Sequence, residues 1–113
     1  MRTALVAMIA LFGAAGCQSE DVSRELGARC AASRDCDDRC LPPGQDYPDG
    51  FCTLSCNTTN ECPMSASCAD REGGVCLFDC AVDADCAFLG AAWTCKDTDA
   101  REAEGNIKLC RGD

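Results

Sequence analysis

Cysteine is the residue type that offers most chemistry in this chain, which carries thirteen of them. Twelve lie between Cys30 and Cys110, while Cys17 stands alone near the N-terminus. In an oxidising compartment twelve cysteines can close six bridges, and the odd one is left as a free thiol or a site of modification. The chain has no histidine, which removes the commonest general base and metal ligand. The cysteines are therefore the main candidates for chemistry in this chain.

The residues before Cys17 have the three-part layout of an export signal. Arg2 supplies a positive charge, residues 4–15 are apolar, and Gly16 is the small residue expected before a cleavage site. The apolar run is too short to cross a bilayer as a mature helix. We therefore expect residues 1–16 to be a signal peptide that is removed on export.

The end of this segment, Ala14-Ala15-Gly16-Cys17, resembles the lipobox of bacterial lipoproteins. The resemblance implies that Cys17 is lipidated and anchors an extracytoplasmic protein to a membrane. Gln18 follows where inner-membrane retention signals usually have Asp, so the resemblance points to the outer membrane or the cell surface. The alternative is an ordinary signal peptide cut after Gly16, which would leave Cys17 as a free thiol.

The other twelve cysteines form three sets of four in which the same features recur. Five residues separate the first two cysteines of every set, and an acid precedes the second: Asp35, Glu61 and Asp85. Three residues join consecutive sets. This repetition predicts three tandem four-cysteine units. The sets are Cys30, Cys36, Cys40 and Cys52; Cys56, Cys62, Cys68 and Cys76; Cys80, Cys86, Cys95 and Cys110.

Composition indicates that covalent bonds rather than a large core stabilise the fold. Leu, Ile, Val and Phe together number only 13 after residue 16, too few for an ordinary globular core. We predict a small disulfide-rich protein of loops and short β-hairpins, with little helix outside the signal peptide. Its expected parts are a flexible tether at 17–29, unit 1 at 30–52, unit 2 at 53–76 and unit 3 at 77–113.

Strands are expected beside the cysteines. In extended backbone alternate side chains share a face, so Leu54 and Phe78 would each lie between two cysteines and pack where neighbouring units meet. Further strands are predicted at Ala92–Lys96 and Asn106–Cys110, with Asp97–Gly105 as a loop.

Each unit should be closed on itself, because every unit keeps four cysteines while the intervening lengths vary. Four cysteines allow three pairings. We favour first with third and second with fourth, since adjacent pairing would leave the halves of a unit independent. The predicted bridges are Cys30–Cys40, Cys36–Cys52, Cys56–Cys68, Cys62–Cys76, Cys80–Cys95 and Cys86–Cys110.

Repeated four-cysteine units with an acid before the second cysteine, behind a lipobox, resemble the cysteine-rich lipoproteins of myxobacteria-like bacteria. The units are also loosely similar to the N-terminal cysteine-rich domain of Dickkopf proteins. The resemblance covers residues 30–110 and rests on cysteine spacing. It implies an exported, surface-attached, disulfide-bonded module, and it carries over no functional residue.

The remaining residues indicate binding rather than catalysis. No glycine-rich phosphate loop or nucleophile elbow is present, so we expect neither an enzyme nor a cofactor. The net charge of −9 argues against nucleic acid as a partner. Cysteine pairs at zinc-like spacing are better explained as bridges in an exported protein. Calcium is an open alternative at two acidic sets: Asp35, Asp37 and Asp38; Asp79, Asp83 and Asp85.

Two functions are consistent with this sequence. The first is a membrane-anchored interaction module with an unidentified protein or glycan partner. The second is a small protease inhibitor, in which Leu41-Pro42-Pro43-Gly44 would present a rigid extended segment to a protease. The C-terminal Arg111-Gly112-Asp113 matches the integrin tripeptide, but a three-residue match is weak evidence and we expect it to be accidental.

Overall fold

Three antiparallel hairpins, one in each four-cysteine unit, make up the computed structural model, which describes residues 22–112. The predicted small disulfide-rich fold of short strand pairs and loops is confirmed. Unit 1 pairs β1 with β2, unit 2 pairs β3 with β4, and unit 3 pairs β5 with β6. The strands are β1 Arg39–Leu41, β2 Phe51–Thr53, β3 Ala66–Ala69, β4 Val75–Phe78, β5 Thr94–Asp99 and β6 Asn106–Arg111.

A short 3-10 helix precedes each hairpin, and each of these helices begins between the first two cysteines of its unit. The three helices are Ser33–Asp35, Thr59–Glu61 and Asp83–Leu89. The first two end against the second cysteine of their unit, whereas the third continues past Cys86 and stops at Gly90. Gly90 has a φ of 131°, which favours glycine and ends the helix.

The hairpin register places the third and fourth cysteines of each unit directly opposite one another. The opposed pairs are Cys40 with Cys52, Cys68 with Cys76 and Cys95 with Cys110. Opposed residues on antiparallel strands project from the same face of the hairpin. Both bridges of a unit are therefore attached to one face of its hairpin.

Six disulfides close the units, and each joins a first cysteine to a third or a second to a fourth. Every bridge lies within one unit, as the spacing favours. The pairs are Cys30–Cys40, Cys36–Cys52, Cys56–Cys68, Cys62–Cys76, Cys80–Cys95 and Cys86–Cys110.

The few apolar residues are concentrated in a core that all three units share. Phe51 of unit 1 is fully buried, and its ring centroid lies 6.0 Å from that of Phe78, at the end of β4, and 5.2 Å from that of Trp93 in unit 3. Thr53, at the end of β2, is also fully buried, and its hydroxyl donates to the Cys76 carbonyl of β4 in the next hairpin at 2.6 Å. The units are thus linked by packing and hydrogen bonds rather than by bridges.

The two joints between units differ in which side chain is buried. Phe78 is buried in the core, as its position between two cysteines predicts. Leu54 is only half-buried against the core, and the neighbouring Thr53 takes the interior position at that joint. Alternation along an extended chain therefore predicts the second joint better than the first.

Within the tether predicted over residues 17–29, residues 22–29 pack against unit 1, whereas residues 17–21 lie outside the described residues. Leu26 is buried, being only 3% exposed. The Gly27 N–H donates to the Cys52 carbonyl at 2.8 Å, and the Cys52 N–H donates to the Ala28 carbonyl at 2.8 Å. These bonds lie along the edge of β2 that does not pair with β1. The segment is therefore held in place by the burial of Leu26 and by hydrogen bonding to this strand edge.

The loop predicted over Asp97–Gly105 is shorter than expected, because β5 extends to Asp99. Thr98 is buried opposite Ile107, and the Lys108 ammonium lies 3.3 Å from the Asp97 carboxylate across the strands. Cross-strand pairing thus prolongs a strand whose charged sequence resembles a loop.

Two glycines at equivalent positions in units 1 and 2 allow a close approach between backbone segments. Gly50 and Gly74 each lie two residues before the fourth cysteine, with φ of 83° and 106°. A Cβ atom at either position would collide with the carbonyl oxygen of the first cysteine, Cys30 or Cys56. Only glycine permits both this backbone conformation and this approach.

Candidate functional site

The acid before the second cysteine of each unit caps the 3-10 helix of that unit. The Asp35 carboxylate accepts the N–H groups of Ala31 and Ala32 at 2.9 and 3.1 Å. Glu61 and Asp85 accept the equivalent pairs of N–H groups in their own units at 2.6 to 3.1 Å. The repeated acid therefore satisfies backbone donors at the helix start.

These hydrogen bonds also set the ionisation of the three acids. The two backbone N–H groups favour the charged carboxylate, so they hold the pKa of Asp35, Glu61 and Asp85 below the usual values. In each case the larger effect comes from the N–H of the residue after the first cysteine. A structural role thus explains the recurring acid.

The other acids considered as calcium ligands are each engaged by a different protein group. Asp37 lies 3.5 Å from the Arg24 guanidinium, and Asp38 accepts the Ser55 N–H at 3.1 Å. In unit 3, Asp79 accepts the Ser67 hydroxyl at 2.6 Å, and Asp83 accepts the Cys95 N–H at 2.9 Å. The structure therefore gives neither acidic set a common centre at which its carboxylates converge.

The cysteines bring their sulfur atoms together in each unit. Three Sγ atoms per unit lie within 4.8 Å of one another. All of them belong to disulfides, and zinc is bound by thiolates. Bridge formation thus accounts for the zinc-like spacing seen in the sequence. The groups are Cys30, Cys36 and Cys40; Cys56, Cys62 and Cys76; Cys80, Cys86 and Cys110.

The segment considered for protease inhibition is only partly available to a partner. Leu41 belongs to β1 and is 1% exposed, so its side chain is committed to the core. Pro42 and Pro43 are exposed in the turn that follows. The one bulky apolar side chain of Leu41-Pro42-Pro43-Gly44 that could enter a specificity pocket therefore points inward.

Arg111 and Gly112 of the integrin-like tripeptide both contact the rest of the protein, and Asp113 lies outside the described residues. The Arg111 guanidinium donates to the Thr98 hydroxyl at 3.1 Å and to the Asp97 carbonyl at 3.3 Å. The Gly112 N–H donates to the Asp46 carbonyl at 2.7 Å. The first two residues of the motif thus have structural contacts, in keeping with an accidental match.

An open groove of about 490 Å³ lies where the N-terminal segment meets units 2 and 3. Five apolar side chains from four stretches of the chain line it. Leu26 and Phe78 are buried beneath its surface, whereas Met64 is 91% exposed and Phe88 is 45% exposed. We call this feature the Met64–Phe88 groove; its apolar lining is Leu26, Pro63, Met64, Phe78 and Phe88.

Local backbone geometry presents the two exposed apolar side chains. The Ala66 N–H donates to the Pro63 carbonyl at 3.2 Å, which closes a turn with Met64 near its tip. Ser65 completes this turn with a φ of 71°, a conformation that is unusual for serine. Phe88 is held edge-on against Phe78, with ring centroids 5.1 Å apart and planes at 75°. The position of Met64 is thus fixed by a closed turn, and that of Phe88 by its contact with Phe78.

The polar part of the groove is acidic. Glu25 and Asp79 line it, both are exposed, and no Lys or Arg is among the described residues that line it. Sequence reasoning missed this site, because its residues come from separate stretches that share no local pattern. The available signal was Met64 itself, a large apolar residue in a stretch that is otherwise small and polar.

Cys17, the predicted lipidation site, lies outside the described residues. Between residues 22 and 112 the structure has no helix of the length and apolarity that a membrane crossing requires. No protein-family model matches the chain, and the comparisons with curated proteins and with solved structures likewise find no match.

Proposed function

We propose that this protein is a membrane-anchored extracytoplasmic binding module without catalytic activity. Lipid on Cys17 attaches it to the outer membrane or cell surface, and the Met64–Phe88 groove contacts its partner. The observation that supports this function best is the exposure of Met64 and Phe88 beside a core that buries most other large apolar side chains. A surface groove in which apolar side chains lie beside polar ones has the mixed composition of a protein interaction site.

The disulfide scaffold suits such a role. Binding costs less when the contact surface is already ordered, because few side chains and loops must be immobilised. Cys62 is bridged to Cys76 next to the Met64 turn, and Cys86 is bridged to Cys110 next to Phe88. Both exposed side chains thus lie within two residues of a covalent cross-link.

The protease-inhibitor alternative receives less support. Leu41 is buried in β1, and the exposed Met64 lies in a turn closed by the hydrogen bond between Ala66 and Pro63. A protease cleft takes a peptide in extended form, with its main chain paired to the enzyme as an added strand. Neither segment offers an exposed large apolar side chain on extended backbone.

Membrane attachment is tested by Cys17→Ser in the native host. We expect the wild type in the membrane fraction, with an N-terminal peptide whose mass includes acyl chains, and the variant in the soluble fraction. Several acyl chains at one residue hold a protein far more firmly than one chain does. Ser19→Ala is the matched control and should stay with the membrane. A soluble wild type with an unmodified N-terminal peptide would contradict the proposal.

A further inference from the structure

We infer that the Met64–Phe88 groove takes a cationic and apolar peptide segment of a partner protein, in which a Lys or Arg lies beside a bulky apolar residue. This inference rests on the proposed binding function and specifies the partner. Its basis is the combination, in one groove, of exposed apolar side chains and unneutralised acids.

The electrostatics of the groove favour a cation. Glu25 and Asp79 both line it, and no basic residue described in the structure does so. Within residues 22–112 no cation or hydrogen-bond donor contacts the Glu25 carboxylate, and Asp79 accepts a bond only from the neutral Ser67 hydroxyl. The net charge of −9 adds a long-range attraction for basic partners. An acidic ligand would be repelled by each of these charges.

The aromatic and sulfur-containing side chains explain why the partner is also apolar. Phe88 is fixed edge-on by Phe78 and leaves part of its ring open to contact by a guanidinium, an ammonium or an apolar group. Met64 has a flexible thioether that adapts its shape to an apolar partner. Covering Met64 would remove apolar surface from water, which a small hydrophilic cation cannot achieve.

The size and form of the groove favour a peptide over a single small molecule. Its volume of about 490 Å³ can hold several side chains, and it is open along the surface rather than enclosed. A peptide can place its cation near Glu25 and Asp79 and an apolar side chain against Met64 in one binding event. Free cations such as lysine amide or choline supply only the first contact.

The test is selection from a random nine-residue peptide display library against the oxidised, lipidated protein in nanodiscs. We expect enriched peptides to combine Lys or Arg with a neighbouring Leu, Met, Phe or Trp. The best peptide is then synthesised, and its Kd is measured by fluorescence anisotropy for the wild type and for matched variants at low and high salt.

Met64→Ala and Phe88→Ala should weaken binding at least about tenfold, as expected for truncated contact residues. Glu25→Gln and Asp79→Asn should each weaken it by about three- to tenfold, and only at low salt. Val82→Ala and Glu104→Gln are the controls, since each alters an exposed residue outside the groove; both should stay within about twofold of the wild type. Phe88→Leu, which retains an apolar side chain, should fall between wild type and Phe88→Ala.

Acidic or purely apolar selected peptides, no enrichment, or unchanged affinity in Glu25→Gln and Phe88→Ala would each overturn the inference. Competition by lysine amide or choline as strong as that by the peptide would also overturn it, since a small cation would then suffice. If a glycan array finds a ligand that depends on Met64 and Phe88, the binding module stands and the peptide inference fails. If neither the library nor the array yields a ligand that depends on the groove, both fail.

Discussion

At the scale of single residues, the acid before the second cysteine has the same structural role in all three units. Asp35, Glu61 and Asp85 each accept two backbone N–H groups at the start of a 3-10 helix. A short helix has few internal hydrogen bonds, so the bonds that its free N–H groups make to the acid are a large share of all the hydrogen bonds that stabilise it. The cap also fixes the backbone immediately before a bridged cysteine.

The capping acids predict how stability depends on pH. The pKa values of these acids are lower in the folded protein than in the unfolded chain. Their contribution to stability is therefore complete at a pH above the unfolded-state pKa values, and it is lost as the pH falls through the folded-state pKa values. We expect the denaturation midpoint of the oxidised protein to be nearly constant from about pH 5 to 8 and to fall below about pH 4.5.

The variant Asp35→Asn, Glu61→Gln, Asp85→Asn should have a lower midpoint at neutral pH and a shallower decline in acid. Urea denaturation followed by circular dichroism at several pH values measures both effects. Glu104→Gln removes an exposed acid in the β5–β6 loop and serves as the control. An acid decline of unchanged steepness in the triple variant would show that other carboxylates control it.

At the scale of elements, the hairpins depend on a close approach between Gly50 or Gly74 and the first cysteine of the unit. Two adjacent glycines allow this contact to be tested apart from backbone strain. Gly73 and Gly74 have φ of 84° and 106°, but a Cβ at Gly73 would meet no atom within 4 Å, whereas one at Gly74 would collide with the Cys56 carbonyl.

We expect Gly73→Ala to destabilise the protein by about 1–2 kcal/mol, the cost of a left-handed conformation in alanine. Gly74→Ala should cost clearly more, because the backbone must also move away from Cys56. Thermal denaturation of the two oxidised variants gives the comparison. Equal losses would mean that unit 2 adjusts to the added methyl group without strain.

Much of this level of structure could be predicted from the sequence, because cysteine spacing is a covalent constraint that the chain displays openly. The hairpins lie where the third and fourth cysteines are, and β6 was expected at Asn106–Cys110 and extends to Arg111. The packed segment around Leu26 could not be predicted, since a single leucine among polar residues does not reveal the strand edge it will meet. The groove could not be predicted either, because Glu25, Met64 and Phe88 become neighbours only after folding.

At the scale of the whole molecule, a shared core makes the three covalently separate units into one body. Phe51 of unit 1 contacts both Phe78, at the end of β4, and Trp93 of unit 3, and the buried residues of unit 2 join the same cluster. The low apolar content of the sequence does not prevent a core, because the chain concentrates its apolar side chains at one place.

Phe51→Ala should therefore destabilise the oxidised protein by about 3–5 kcal/mol, the cost of emptying a buried aromatic site. Because the core is shared, we expect one cooperative transition in which all units lose their structure together. Phe88→Ala is the matched control and should cost much less, since Phe88 is half-exposed. Hydrogen exchange measured for each unit would contradict a shared core if Phe51→Ala loosened unit 1 alone.

The opposed cysteines of each hairpin have a consequence for how the bridges form. Cys40 and Cys52 face each other across β1 and β2, yet each is bonded to a different partner, and the sulfurs of Cys30, Cys36 and Cys40 lie within 4.8 Å. If the hairpin forms first during oxidation, it brings together two cysteines that are not partners in the final structure. In the folded structure the sulfurs of Cys30 and Cys36 lie beside that of Cys40, so either residue, while still a thiolate, can attack such a misplaced bridge and exchange it. Each unit therefore contains its own route for correcting errors, as long as one of its thiols is still reduced.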